Sequence, residues 1–292
     1  MSTALCSRNH VLVTGANSGI GRATVAAMAA RGWHVFAGLH HADHPGDPYE
    51  ESSVTTLTID VSDENLLANA VKAVSDHVGA AGLDGLVDNA GIGVAGPLEV
   101  LPLDRLRAQL EVNVIGQVAV TQKFLPLLRQ ATGRIVFISS IGDRMAMPFA
   151  GPLTASKAAL SMIAHSWRQE LAPWGIGVTI VAPALIHTDA ADKLQRDADV
   201  LSRNMSEEGR RLYGQTFSRM VQRAVAQEKE GSPPTAVAEV VAEALTGNRV
   251  RSRVVAGKGG TALSLLTLLP TRILDALRRR LFQLPSPGSA RS

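Results

Sequence analysis

The sequence predicts a single α/β domain built on a doubly wound parallel sheet, and three observations predict it. Apolar runs of strand length alternate with helix-length amphipathic segments almost from the first residue. The first such run ends in a glycine-rich turn that opens a helix. Val, Ala, Leu and Gly recur throughout while aromatic residues make up only 4 %, a balance that suits parallel strands covered by helices better than an all-β sandwich. With 292 residues, 46 % of them hydrophobic, the chain can bury one large core, and global disorder is excluded.

In order, residues 10–14 (HVLVT) read as a strand and 19–31 as a helix. Strands over 33–38 and 54–59 follow. Residues 63–79 are helical, with Asp63 and Glu64 in the first turn, where negative charge suits the helix dipole. A strand over 85–87 precedes a long helix from about 102 to 129. The series closes with a strand over 134–138, a helix over 151–174 and a strand over 177–181. Right-handed crossovers then give a sheet covered on both faces. After Pro183 the pattern changes: residues 184–230 are polar and helical without a strand, as expected of a flap over the carboxyl ends of the strands. A helix over 235–245 and a last strand over 253–256 return to the body. The C-terminal extension, 261–284, repeats Leu265, Leu269, Ile273, Leu277 and Leu281 every four residues, is broken by Pro270, and ends in Arg278, Arg279 and Arg280. It is expected to be a helix pair packed on the body or on a twin subunit, since a membrane-surface anchor asks for a stronger polar face. Residues 285–292 read as a frayed tail.

Composition also excludes several function classes. A net charge of +3, from 29 Lys+Arg against 26 Asp+Glu, is too mild for a nucleic-acid binder. The one cysteine, Cys6, rules out an internal disulfide, and no Cys/His cluster has zinc spacing. His40, His41 and His44 flank Pro45-Gly46 at a spacing that argues against a metal site. The N-terminal MSTALCSRNH lacks the apolar stretch of a secretory signal, and no apolar run reaches spanning length. The expectation is a cytoplasmic protein with no transmembrane segment, acting on a small molecule.

The chemistry concentrates at strand ends. Thr14, Gly15, Ala16, Asn17, Ser18, Gly19, Ile20 and Gly21 lie between a strand and a helix, the context in which a glycine-rich turn binds a phosphate. Gly15 permits the tight turn, Gly19 the approach of a pyrophosphate, and Gly21 close helix–strand packing. Asp60-Val61, Asp88-Asn89-Ala90-Gly91, Ile138-Ser139-Ser140 and Pro183 with Thr188 beyond it follow later strands. Asn113 and Ser156-Lys157 lie on helices.

This order and spacing resemble the short-chain dehydrogenase/reductase family over nearly the whole chain, and in particular the subgroup that includes retinol and 17-beta-hydroxysteroid dehydrogenases. The resemblance implies a Rossmann-type sheet and a nicotinamide dinucleotide. Gly15, Asn17, Ser18, Gly19, Ile20 and Gly21 would line the pyrophosphate, Asp60 and Val61 the adenine, and Asn89, Ala90 and Gly91 its ribose. Pro183, Ile186 and Thr188 would meet the nicotinamide carboxamide. Ser140 matches the serine that hydrogen-bonds the reacting oxygen. Lys157 matches the lysine that holds the nicotinamide ribose and lowers the pKa of a tyrosine, and Asn113 the asparagine that anchors a water beside that lysine.

The proton-donating tyrosine of that pattern stands four residues before the lysine and thirteen after the serine, and both counts reach Leu153. Leucine has no proton to give, and loss of a general acid costs about 10²–10⁴ in rate. Asp88 and Ala184 also depart from the family's asparagine and glycine. Asp143, His187 and Tyr213 are the alternative donors nearby, each also readable as an ordinary loop residue. The second strand ends in Leu39-His40, where an NAD enzyme of this fold places a carboxylate, so NADP(H) is favoured over NAD(H), with His40 at the cofactor. The leading expectation is an atypical oxidoreductase that passes hydride between NADP(H) and an apolar carbonyl, enone or alcohol. The alternatives are a non-redox isomerase, lyase or cyclase on the same scaffold, and a catalytically silent binding protein. A homodimer or homotetramer is expected, with Gln109, Val120, Met162 and Trp167 at the interface.

Overall fold

Residues 9–40, 49, 51–284 and 286 are described by a computed structural model. Cys6, His41, His44 and the tail beyond Leu284, Ser286 excepted, lie outside the described residues. Seven strands form: β1 (His10–Thr14), β2 (His34–Leu39), β3 (Val54–Thr58), β4 (Gly85–Asp88), β5 (Arg134–Ile138), β6 (Gly177–Pro183) and β7 (Arg253–Ala256). They pair in parallel throughout, in the order β3-β2-β1-β4-β5-β6-β7. The order reverses between β1 and β4, which opens a crevice at the carboxyl ends of the strands.

Strand periodicity divides the apolar residues between two cores. Val11, Val13, Val35, Ala37, Val87 and Val136 face one side and pack with Val25 and Met28 of α1 (Gly19–Ala29). Leu12, Phe36, Leu86, Ile135 and Phe137 face the other side. There they meet α2 (Glu64–Val78), α4 (Gly116–Ala131) and α5 (Gly151–Glu170) through Leu67, Val74, Phe124, Leu128 and Leu160. α9 (Pro234–Thr246) joins α1 on the first side through Val237 and Val241.

The helices differ from the sequence reading where local chemistry interrupts them. Asp63 is the N-cap of α2 rather than a helical residue, and its Oδ1 accepts from Asn65 N and Leu66 N at 2.8 and 3.1 Å. The long helix over 102–129 divides into α3 (Leu103–Leu110), a π-turn (Glu111–Ile115) and α4. α5 stops at Glu170, and Pro173 sits in a separate short turn, Ala172–Trp174, because proline has no N–H for the ladder. β3 ends at Thr58, so Asp60 and Val61 lie beyond the strand.

The flap contains α6 (Ala190–Asn204), the single turn α7 (Glu207–Gly209), a π-turn (Arg210–Gly214) and α8 (Gln215–Lys229). Phe217, Met220 and Val221 of α8 form a third apolar cluster with Ala198, Leu201 and Phe149. The C-terminal extension is two helices, α10 (Gly260–Leu266) and α11 (Thr271–Phe282), separated at Pro270. α10 lies against β7, and α11 lies against α8. These contacts do not use the four-residue repeat. Leu274 and Phe282 are buried, whereas Leu265, Ile273, Leu277 and Leu281 of the four-residue repeat are exposed. The interface residues read from sequence are also corrected: Gln109, Val120 and Trp167 are buried within the monomer, and only Met162 is exposed.

Candidate active site

The glycine-rich turn connects β1 to α1, and two of its glycines, Gly15 and Gly21, have no room for a side chain. A Cβ on Gly21 would stand 2.2 Å from the Gly15 carbonyl oxygen, and one on Gly15 would stand 2.8 Å from Ala90 Cα. Gly15 and Gly19 also hold positive φ, +64° and +53°. Ser18 is the N-cap of α1 but makes no side-chain cap bond, so the first-turn N–H groups keep their capacity for an anion. The turn is sewn to the β4 loop by Thr14 and Asn89. Thr14 Oγ1 accepts from Asn89 N and Ala90 N at 3.0 Å each, and Asn89 Nδ2 donates to the carbonyls of Thr14 and Gly15 at 2.9 and 3.0 Å. On its other side, Asn17 Oδ1 accepts from His40 N at 3.0 Å.

His40 also brings β2 to Asp60, with Nε2 3.4 Å from Asp60 Oδ2. Burial pushes the Asp60 carboxyl upward, but hydrogen bonds from Ser62, aided by His40, outweigh it and hold the pKa below the usual value. Val61 is buried against Gly116 of α4, where a Cβ would come within 2.6 Å of Val61 Cγ2. Only its backbone can face a ligand. The same holds for Ile186, which buries its side chain and pairs its backbone with Ser232. Thr188 reaches across to the glycine-rich turn, 3.3 Å from where a Gly19 Cβ would sit.

A second group of residues surrounds Lys157. Its Nζ donates to the Ile138 carbonyl at 2.7 Å, which brings α5 to the end of β5 next to Ser139 and Ser140. Burial pulls the Lys157 pKa down to about 8, while the Asp143 carboxylate opposes that fall. Ser140 begins the short turn Ile141–Asp143, its Oγ accepting from Gly142 N at 3.0 Å. Leu153 stands one helical turn before Lys157, and its carbonyl accepts from Ser156 Oγ at 2.8 Å. Asn113 lies in the π-turn, fully buried. Its Oδ1 accepts from Ile92 N at 2.8 Å, and its Nδ2 donates to Ile92 O at 2.9 Å and Ser156 Oγ at 3.2 Å. The carboxamide therefore clamps the β4 loop to α5.

Sequence reasoning missed two features here. Gln109, one turn before Asn113, is a second clamp: its Oε1 accepts from Val94 N at 2.7 Å and its Nε2 donates to Ile92 O at 2.7 Å. Two amides four residues apart on a helix were the available signal. The other feature is a buried charge cluster. Asp143 is bidentate with Arg253 of β7, and it accepts from Ser139 Oγ at 3.0 Å and Ser161 Oγ at 2.6 Å. Arg253 is 110 residues away in sequence, so no local pattern announces the pair.

Two of the three alternative donors, Asp143 and Tyr213, are engaged by other side chains. Asp143 is locked by Arg253 and the two serines. His187 is exposed, its backbone N bonded to Ser232 O. Tyr213 donates to Glu99 on the β4 loop, a hydrogen bond that raises its pKa. The other tyrosine, Tyr49, donates to the Ala16 carbonyl at 2.7 Å. Among the described residues no group of His, Cys, Asp or Glu could hold a metal ion. The shape that the residues do offer, side-chain-free glycines beside a helix N-terminus and a lysine beside a serine, fits a dinucleotide.

Comparison with known proteins agrees. The short chain dehydrogenase family profile matches residues 9–199. The chain is 32 % identical to an NADPH-dependent 3-dehydrocapnine reductase of Ornithobacterium rhinotracheale, over 92 % of this chain and 95 % of that one. It is 32 % identical to retinol dehydrogenase 5 of Mus musculus, over 91 % and 86 % of the two chains. A short chain dehydrogenase from Burkholderia cenocepacia, solved in complex with NADP, superposes with a TM-score of 0.70 at 25 % identity and covers 96 % of this chain and 99 % of that chain. With the strand order and the glycine-rich turn in place and the family profile spanning well over half of its length, the chain belongs to the short-chain dehydrogenase/reductase family.

Proposed function

We propose that the protein transfers hydride between NADP(H) and an apolar carbonyl, enone or alcohol, without the proton-donating tyrosine of its family. The observation that carries the reading is the pairing of an intact nucleotide cradle with an apolar residue, Leu153, one turn from Lys157. The nicotinamide, when bound, supplies or accepts the hydride. The chain does the rest: the α1 N-terminus and Gly19 receive the pyrophosphate, Lys157 holds the ribose hydroxyls, and Ser140 donates to the reacting oxygen. Leu153 keeps water from that side of the pocket. A conjugated acceptor suits such a site, because hydride addition leaves an enolate whose charge is delocalised away from the oxygen, and this anion takes the proton that completes the reduction from solvent.

NADP(H) is preferred on the same reasoning, since β2 ends in Leu39-His40 and neither side chain repels a 2′-phosphate. The two NADP-linked relatives support that choice. Titration of both nucleotides by calorimetry tests it, with NADPH expected to bind about tenfold tighter than NADH. Equal or reversed affinities contradict the preference, and binding of neither contradicts the oxidoreductase reading.

A further inference from the structure

The apolar repeat of the C-terminal extension faces outward. Leu265, Leu268, Ile273, Leu277 and Leu281 are between 43 and 80 % exposed, the densest run of exposed large apolar side chains among the described residues. On α11, Ile273, Leu277 and Leu281 fall within an arc of about 80°. The adjoining arc carries Leu274, Arg278 and Phe282, which turn inward; Leu274 and Phe282 are buried. Arg272, Arg279 and Arg280 occupy the remaining side. The helix thus has one face docked on α8, one apolar face left over, and a basic face beside it.

Charge shows what fits this surface. Residues 261–284 hold four arginines against the single acid Asp275, so this short extension alone accounts for a net charge equal to the +3 of the whole chain. The polar face that looks too weak in the sequence is gathered by the helix into Arg272, Arg279 and Arg280, and exposed leucines flanked by such arginines form the amphipathic pattern that lies in a bilayer interface, with the guanidinium groups reaching up to anionic headgroups. Among the described residues no helix is long and apolar enough to cross a membrane, so the contact is with one leaflet surface. The surface also adjoins the flap, because α11 packs on α8 and Arg223 of α8 donates to the Leu281 carbonyl.

We propose that α10 and α11 form a docking surface for an anionic lipid bilayer, with Ile273, Leu277 and Leu281 entering the interface and Arg272, Arg279 and Arg280 meeting the headgroups. This inference stands apart from the redox reading.

The test is co-sedimentation of the full chain with vesicles of phosphatidylcholine alone and of phosphatidylcholine with one quarter phosphatidylglycerol, at low and high salt. Wild type is expected to bind the anionic vesicles at least tenfold more tightly than the neutral ones, and to lose most of that margin at high salt. The double variant Arg279→Glu/Arg280→Glu should lose anionic selectivity, about fivefold per arginine removed. Ile273→Glu/Leu277→Glu should lose binding at least tenfold even at low salt. Both variants change exposed or half-exposed positions, and unchanged thermal unfolding and NADPH titration would show that each is folded. Equal binding to both vesicle types, or binding untouched by Ile273→Glu/Leu277→Glu, overturns the proposal. So does a wild-type oligomer that binds no vesicles and falls to a monomer in that variant, since a second copy of the chain then covers the ridge.

Discussion

Asp88 is the residue at which burial and charge are most directly opposed. It ends β4 with 1 % of its surface exposed, its Oδ2 accepts from Thr121 Oγ1 at 2.6 Å, and its Oδ1 has no partner. Burial raises its pKa to about 7, with the Thr121 hydrogen bond pulling the other way. The folded chain therefore keeps a proton that the unfolded chain releases between about pH 4 and 7, and stability falls as pH rises through that window. Asp88→Asn removes the titration and restores the residue that the family resemblance leads one to expect there. Urea unfolding should find the variant about 1–3 kcal/mol more stable than wild type at pH 7.5, with that advantage largely gone at pH 4.5. An equal difference at both pH values would place the carboxyl in an ionised state throughout. Asp143 is the opposite case, a buried carboxylate whose charge is matched by Arg253. Removing either partner would strand the other, at a typical cost of about 3–5 kcal/mol. The sequence reading placed Asp143 among candidate acids because it follows Ser140, but a partner on β7 cannot be read from neighbouring residues.

Between the turn that follows Ser140 and the flap, the backbone of Phe149 stands out. Its φ of 62° is shared in sign by only two other non-glycine residues in the described structure, Thr132 and Gln283, both at helix C-termini where that conformation is ordinary. Phe149 has no such role. Its carbonyl accepts from Gly96 N at 2.7 Å, and its ring meets Phe217 of α8 edge-on at 5.7 Å, with Tyr213 at 6.5 Å. The strained loop thus holds the ring against the flap two residues before α5 begins. A left-handed conformation costs a side-chain-bearing residue about 1–2 kcal/mol, so two truncations should separate strain from packing. Phe149→Ala loses the ring and keeps the strain, whereas Phe149→Gly loses both. Chemical denaturation should show the Gly variant about 1 kcal/mol more stable than the Ala variant, despite the ordinary entropic penalty of glycine. Ala equal to or above Gly would mean that the loop relaxes when the ring is removed. The strands and most helices were legible to within a residue or two, because alternation and 3.6-residue periodicity are local. The π-turn at Asn113 and the outward face of α11 were not, since both depend on what packs against the helix.

At the scale of the whole molecule, the nucleotide half of the site was readable because its demands fall on the backbone. Gly15 and Gly21 are required by backbone contacts under 3.0 Å that leave no room for a Cβ, and Gly19 by its positive φ, and glycine is the residue that records such demands in sequence. The acceptor half was readable only as a lineup of side chains, with Leu153 where a proton donor is expected and both tyrosines committed to Glu99 and Ala16. The central claim is that the cradle and the serine–lysine pair remain competent while the proton donor is lost. It is tested most directly by NADPH consumption with a panel of simple apolar ketones and conjugated enones, comparing wild type with Leu153→Tyr after both are shown to fold and bind NADPH. The account predicts that wild type reduces enones in preference to plain ketones, and that the new phenol, one turn from Lys157, raises ketone reduction by about 10²-fold or more. Ketone reduction by wild type as fast as by Leu153→Tyr would contradict it.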